Sequence, residues 1–195
     1  LITDPANLCY FTGYPAFAEM SYPRPAVFIL PLERDPVLIV HDFHLPFSWE
    51  GDIRHYSRVG QCPIELVRTA FVEVQCTQGS VGAELGREQH LGISYNDFTR
   101  LHDALPGVEF VDAADVLWEL RMVKSEAEIA TIMEACEVHD GVFERCFEAV
   151  RVGMSQRQIE NLFLRDVAST GADFGFSIVC VGDYVPEQAG GSSSP

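Results

Sequence analysis

Leu105-Pro106-Gly107-Val108-Glu109-Phe110-Val111-Asp112-Ala113-Ala114-Asp115-Val116-Leu117-Trp118-Glu119-Leu120 decides the fold class. Pro106-Gly107 ends the segment before it, since proline lacks an amide proton and glycine accepts turn conformations. Val108 to Val111 is a short apolar run with the residue types of a strand. Asp112 then caps a helix, with Val116, Leu117, Leu120 and Val123 recurring on one face. Upstream, Ser94 caps another helix with Asp97 three residues on, and Phe98, Leu101 and Leu105 form its apolar face. Helix, strand and helix in close succession predict an α/β domain with a largely buried sheet.

The same grammar extends towards the start. Leu1-Ile2-Thr3 reads as the tail of a strand. Asp4-Pro5 opens a short helix through Leu8 and Phe11, and Gly13 stops it. Ala26 to Leu32 and Val37 to Phe43 read as strands separated by a proline-rich, charged connection. Ile53 to Val59 is a third strand candidate. Ile64, Val67, Phe71 and Val74 follow helical spacing, and Ser80 to Leu85 reads as another strand. The spacing does not give the strand order.

After Lys124 the texture changes, which predicts one domain over 1–124 and the beginning of a second over 125–195. Ser125 and Glu128 form a capping box, in which side chain and backbone satisfy each other at a helix start. A long helix follows, with Ile129, Ile132, Met133, Cys136, Phe143, Cys146, Phe147 and Val150 expected on one face and Gly153 as its stop. Ser155 and Gln158 repeat the capping box, and Ile159, Leu162, Phe163 and Val167 line the next helix. Gly171 ends that helix, and Phe174 to Val181 reads as a strand. Residues 186–195 are expected to be a flexible tail, with linker composition from Gly190 to Pro195. Two helices and one strand are too few to close an α/β core, so the second domain is expected to be incomplete.

Composition excludes several classes. Of 195 residues, 47% are hydrophobic and 22% charged, the balance of a chain able to bury a core. The net charge is −16, with 13 basic residues against 29 acidic ones. Nucleic-acid surfaces need clustered Lys and Arg, so no nucleic-acid partner is expected. The longest apolar runs are strand-sized, well short of the roughly 20 residues that cross a bilayer, so no membrane is expected either. Six cysteines lack C-x-x-C spacing, which predicts free thiols and a reducing, cytoplasmic setting.

Four segments carry a family resemblance. Asp4-Pro5-Ala6-Asn7-Leu8-Cys9-Tyr10-Phe11-Thr12-Gly13-Tyr14 is similar to the opening signature of the creatinase, prolidase and aminopeptidase P family. Leu120-Arg121-Met122-Val123-Lys124-Ser125-Glu126-Ala127-Glu128-Ile129 resembles that family's junction between its N-terminal and catalytic domains. Gly153-Met154-Ser155 and Phe176 to Gly182 resemble the start of the catalytic domain. The resemblance implies a creatinase-type N-terminal domain, a mixed sheet flanked by helices, followed by a truncated α+β "pita-bread" catalytic domain. It also implies a homodimeric Xaa-Pro dipeptidase- or aminopeptidase-like hydrolase that cleaves a small peptide or amide bond. Two divalent ions (Mn, Co, Zn or Fe), about 3.5–4 Å apart, would polarise the scissile carbonyl in the complete protein. Their two Asp, one His and two Glu ligands fall in the second half of the catalytic domain, and no matching motif occurs here. This chain is therefore expected to bind no metal, to contain no catalytic residue and to lack activity by itself. A non-catalytic relative serving as a binding module, or a creatinase- or ectoine-hydrolase-like enzyme, are the alternative readings.

Individual residues sort accordingly. On a strand, His41 and His44 would point to opposite faces, so they read as strand-end polar residues and not as ligands. His139 reads as a helix-face residue beside the apolar stripe, and Glu84 as a structural carboxylate at a strand end. The loop Tyr14 to Pro25 is rich in proline and aromatics. In the resembling family the matching loop reaches a neighbouring subunit's active site, which implies Arg24 and Tyr22 as substrate-binding residues. A guanidinium suits that task because its planar fork gives a carboxylate two parallel hydrogen bonds.

Overall fold

The computed structural model describes residues 1–14, 23–44, 49–172 and 177–181. Tyr22 and the tail 186–195 lie outside the described residues. The chain divides into two compact units, Leu1–Met122 and Val123–Pro195.

The first unit begins with α1 (Pro5–Thr12). The Asp4 carboxylate caps it by accepting from the amides of Ala6 and Asn7, and Gly13 closes it in the left-handed conformation at φ +68°. Three strands form a mixed sheet in the order β1 (Val27–Ile29), β2 (Val37–His41), β3 (Asp52–Tyr56). β1 runs antiparallel to β2, and β3 runs parallel to it with Val40 opposite His55 and His41 opposite Tyr56. The helix α2 (Ile64–Glu73) follows, then β4 (Gly79–Ala83), α3 (Tyr95–Ala104), β5 (Val108–Asp112) and α4 (Ala114–Met122). β4 and β5 pair in parallel.

Residues 1–3 connect the two sheets. Ile2 exchanges both backbone hydrogen bonds with Phe28 at 2.8 Å, and the backbone nitrogen of Leu1 donates to the Gly82 carbonyl at 2.8 Å.

Every residue of β2 is buried, as expected for a strand covered on both faces. Its side chains alternate between two cores. Val27, Ile29, Val37 and Ile39 pack with Val67 and Phe71 of α2 and with Leu101 of α3. Phe28, Leu38 and Val40 pack with Leu8 of α1 and Leu117 of α4.

The second unit contains α5 (Glu126–Ala149) and α6 (Gln156–Thr170), both started by complete capping boxes. Several expectations need correction, among them the expected strands Val37–Phe43 and Ser80–Leu85, which end at His41 and Ala83. The first strand stops at Ile29, short of Leu32, which is fully exposed beyond the proline that breaks the pairing. β3 likewise ends at Tyr56, short of Val59, where β2 no longer pairs with it. α5 ends at Ala149, because Val150 turns extended, and Gly153 occupies the following turn at φ +95°. Ser177–Val181, the described part of the expected last strand, is irregular backbone, with the Ser177 hydroxyl donating to Glu160 at 3.1 Å. The face expected along α5 is buried only around Val142 and Cys146, which pack on Phe163 and Val167, while Ile129, Ile132, Met133 and Phe147 are exposed.

Candidate functional site

Parallel strands bring the ends of β2 and β3 to the same edge, and Arg24 arrives there on the segment 23–25. Its backbone is held on both sides. The Gly60 amide donates to the Pro23 carbonyl at 2.7 Å, and the buried Tyr56 hydroxyl donates to the Pro25 carbonyl at 2.7 Å. Burial raises the Tyr56 phenol well above its ordinary range, so it remains a donor at any physiological pH. The Arg24 guanidinium lies over the Phe43 ring, 4.9 Å from its centroid. Phe43 belongs to the 3₁₀ turn Asp42–His44 that continues β2.

His41, the last residue of β2, is buried beneath this arrangement. Its Nδ1 accepts the Phe43 amide at 3.0 Å and its Nε2 lies 3.1 Å from the Ser57 carbonyl. The ring meets Tyr56 edge to face, at 5.1 Å between centroids. Both ring nitrogens are thereby engaged within the protein. Cys62 is also buried, and burial pushes its thiol up to about 12, which leaves it without nucleophilic thiolate.

A second polar cluster braces the unit from inside. Glu84, 2% exposed, follows β4 directly. Its Oε2 accepts from the Thr3 amide (2.7 Å), the Thr3 hydroxyl (3.0 Å) and the Asp4 amide (2.9 Å), and its Oε1 accepts from Asn7 Nδ2 at 2.7 Å. Arg121, in the last turn of α4, donates to Asn7 Oδ1 at 2.8 Å. Burial pushes the Glu84 carboxyl up, and the donors from Asn7, Thr3 and Asp4 oppose that. Gly92 closes the cluster by donating its amide to the Thr3 hydroxyl at 3.0 Å; a Cβ there would stand 1.9 Å from the Thr3 carbonyl oxygen. Three segments that the sequence singled out, around Asp4–Asn7, Glu84 and Arg121, thus meet in one buried network that ties helices to strands.

Of the two substrate-binding residues suggested by the sequence, Arg24 stands at the described edge and Tyr22 lies outside the described residues. Sequence reasoning missed Phe43 and Tyr56 as its supports; the only available signal was aromatic residues at two strand ends. Among the described residues, no group of three or more His, Cys, Asp or Glu could hold a metal ion. The divalent pair implied by the resemblance therefore finds no ligand set there, and His41 has no ring nitrogen left to offer. No helix among the described residues is long and apolar enough to cross a membrane.

Residues 1–123 match the family model of the creatinase/prolidase N-terminal domain. Among curated proteins, the chain is 23% identical over 177 residues to the uncharacterized peptidase YqhT of Bacillus subtilis, covering 89% of this chain and 45% of that protein. It is 24% identical over 165 residues to the Xaa-Pro dipeptidase of Lactobacillus delbrueckii subsp. lactis, covering 81% of this chain and 42% of that one. Among solved structures, recombinant prolidase from Thermococcus sibiricus superposes with a TM-score of 0.69 at 22% identity, over 87% of this chain and 44% of that one. The X-Pro aminopeptidase from Thermotoga maritima gives 0.65 at 22% identity, over 85% and 43%. The chain spans about half the length of the relatives it matches.

Proposed function

The chain belongs to the creatinase/prolidase N-terminal domain family, and from that premise we propose that it forms the N-terminal part of an Xaa-Pro dipeptidase- or aminopeptidase-type hydrolase. Its substrate would be a small peptide or amide, and the protein would work as a homodimer in the cytoplasm. The chemistry would belong to a pita-bread domain that begins near Ser125. The two divalent ions would be held by residues other than those described. This chain's own contribution would be recognition: Arg24 would reach the catalytic cleft of a partner subunit, with Tyr22 beside it, and pair with a substrate carboxylate.

The observation that supports this reading best is the fixation of Arg24. A segment with carbonyls anchored on either side of one arginine, and a guanidinium resting on an aromatic ring, holds a bidentate anion donor at a strand edge. The test is peptidase activity of the protein carrying the rest of the chain, supplied with manganese, on Xaa-Pro dipeptides and matched dipeptides without proline. Selective, metal-dependent hydrolysis of the Xaa-Pro bond is expected. Binding of such peptides without turnover would point instead to a non-catalytic relative, and turnover of creatine- or ectoine-like amides alone would reassign the substrate.

A further inference from the structure

We propose that His41 is a positioning residue for Arg24, acting through the backbone of Phe43; its bearing on substrate rests on the reading of Arg24 given above. The Phe43 amide can only donate, so the Nδ1 atom facing it at 3.0 Å must be the bare, accepting nitrogen. The proton is then on Nε2, where it is donated to the Ser57 carbonyl at 3.1 Å. One imidazole thus clamps Phe43, the second residue of the turn that follows β2, to Ser57, the residue just after β3.

The consequence for Arg24 follows from what Phe43 does. Phe43 is 60% exposed and its ring carries the guanidinium at 4.9 Å, so a shift of the Phe43 backbone moves the platform. His41 supplies an anchor for that backbone. It also packs edge to face on Tyr56, whose hydroxyl holds the Pro25 carbonyl next to Arg24. Two supports of the arginine, the platform beneath its head and the tether at Pro25, therefore meet at the same buried ring. A purely space-filling histidine would need neither ring nitrogen engaged.

Two variants separate positioning from packing. His41→Phe keeps an aromatic ring against Tyr56 and removes both hydrogen bonds. His41→Asn keeps an acceptor near the place of Nδ1 and loses the ring. Nuclear magnetic resonance on the 195-residue chain reads three quantities: the side-chain nitrogen shifts of His41, the exchange rate of the Phe43 amide and the ring-current shifts of the Arg24 methylenes. Expected are a proton on Nε2, Phe43 exchange roughly 2- to 10-fold faster in His41→Phe, the scale of one lost hydrogen bond, and collapse of the Arg24 shifts in that variant. His41→Asn should restore most of both. A proton on Nδ1 in the unsubstituted chain, which needs no variant to fold, would overturn the proposal. Unchanged exchange and shifts in His41→Phe, or an Asn variant no better than the Phe variant, would do the same. In the active protein, His41→Phe should lower kcat/KM on carboxylate-bearing substrates, and adding it to Arg24→Ala should change nothing further. If Arg24→Ala proves silent, the substrate reading of Arg24 falls, while the magnetic resonance data still decide whether His41 positions it.

Discussion

Four hydrogen bonds converge on Glu84 from Thr3, Asp4 and Asn7, and their partners come from the other end of the first unit. A buried carboxylate of this kind makes stability depend on pH. Burial raises its folded value above the ordinary one of about 4.3, so between the two the folded chain binds more protons than the unfolded chain. Its contribution is then fully present below about pH 4.3 and is lost as pH rises through the raised value. Denaturant unfolding of the parent and of Glu84→Gln from pH 4 to pH 7 isolates the term. The parent should lose stability relative to the variant with rising pH; a constant gap, or one that moves the other way, would contradict the assignment. Glu84 was legible as a strand-end structural carboxylate, and Asp4 as a helix cap. That Asn7 would join Glu84 to Arg121 was not legible, because those contacts span 77 to 114 positions of sequence and carry no local signal. Arg24 could be singled out for its loop and its residue type, whereas its supports, His41, Phe43 and Tyr56, are brought together only by the parallel pairing of β2 with β3.

At the scale of elements, the helices were the most legible because their starts are written in adjacent residues. Ser125 with Glu128 and Ser155 with Gln158 form the reciprocal bonds that their spacing predicts. Ser125→Ala and Ser155→Ala should each remove about 1 kcal/mol of helix stability. Amide exchange would measure it, at Glu128, which loses its hydroxyl acceptor, and over the first turn of α6, where Gln158 keeps the Ser155 carbonyl at 3.0 Å; unchanged protection in both first turns would refute the role. Strand ends were less legible, since a strand stops where its neighbour stops and not where its residue types change. Ile29 and Tyr56 end their strands in that way. The apolar stripe of α5 was legible as a pattern, but what packs on Ile129, Ile132, Met133 and Phe147 is not contained in the pattern. Val142 and Cys146 are buried against Phe163 and Val167, with Val150 packed beside them and Phe143 edge to face on Phe163 at 5.1 Å.

At the scale of the whole molecule, the first unit carries two cores around a strand buried on both faces, while the second buries four apolar side chains in its cluster. Stability should be divided accordingly. Phe71→Ala, at 0% exposure, should cost the first unit about 3–5 kcal/mol, read from its unfolding transition with the second unit's signals unaltered. Limited proteolysis should cleave within Val123–Pro195 before it cleaves inside Leu1–Met122; early cuts between Val27 and His41 would contradict this division.

Carboxylate recognition by Arg24, as proposed above, is the feature on which this chain's role in catalysis turns. The most direct measurement is steady-state kinetics of the active, metal-supplied protein with Arg24, Arg24→Ala and Arg24→Lys, each on an Xaa-Pro dipeptide and on its carboxamide. Loss of a charge-assisted pair should cost Arg24→Ala about 1.5–3 kcal/mol in kcat/KM on the dipeptide, about 10- to 150-fold. Lysine should recover only part, because it lacks the bidentate fork, and the three proteins should converge on the carboxamide. Equal kcat/KM for Arg24 and Arg24→Ala on the dipeptide, or an equal loss on both substrates, would contradict the account.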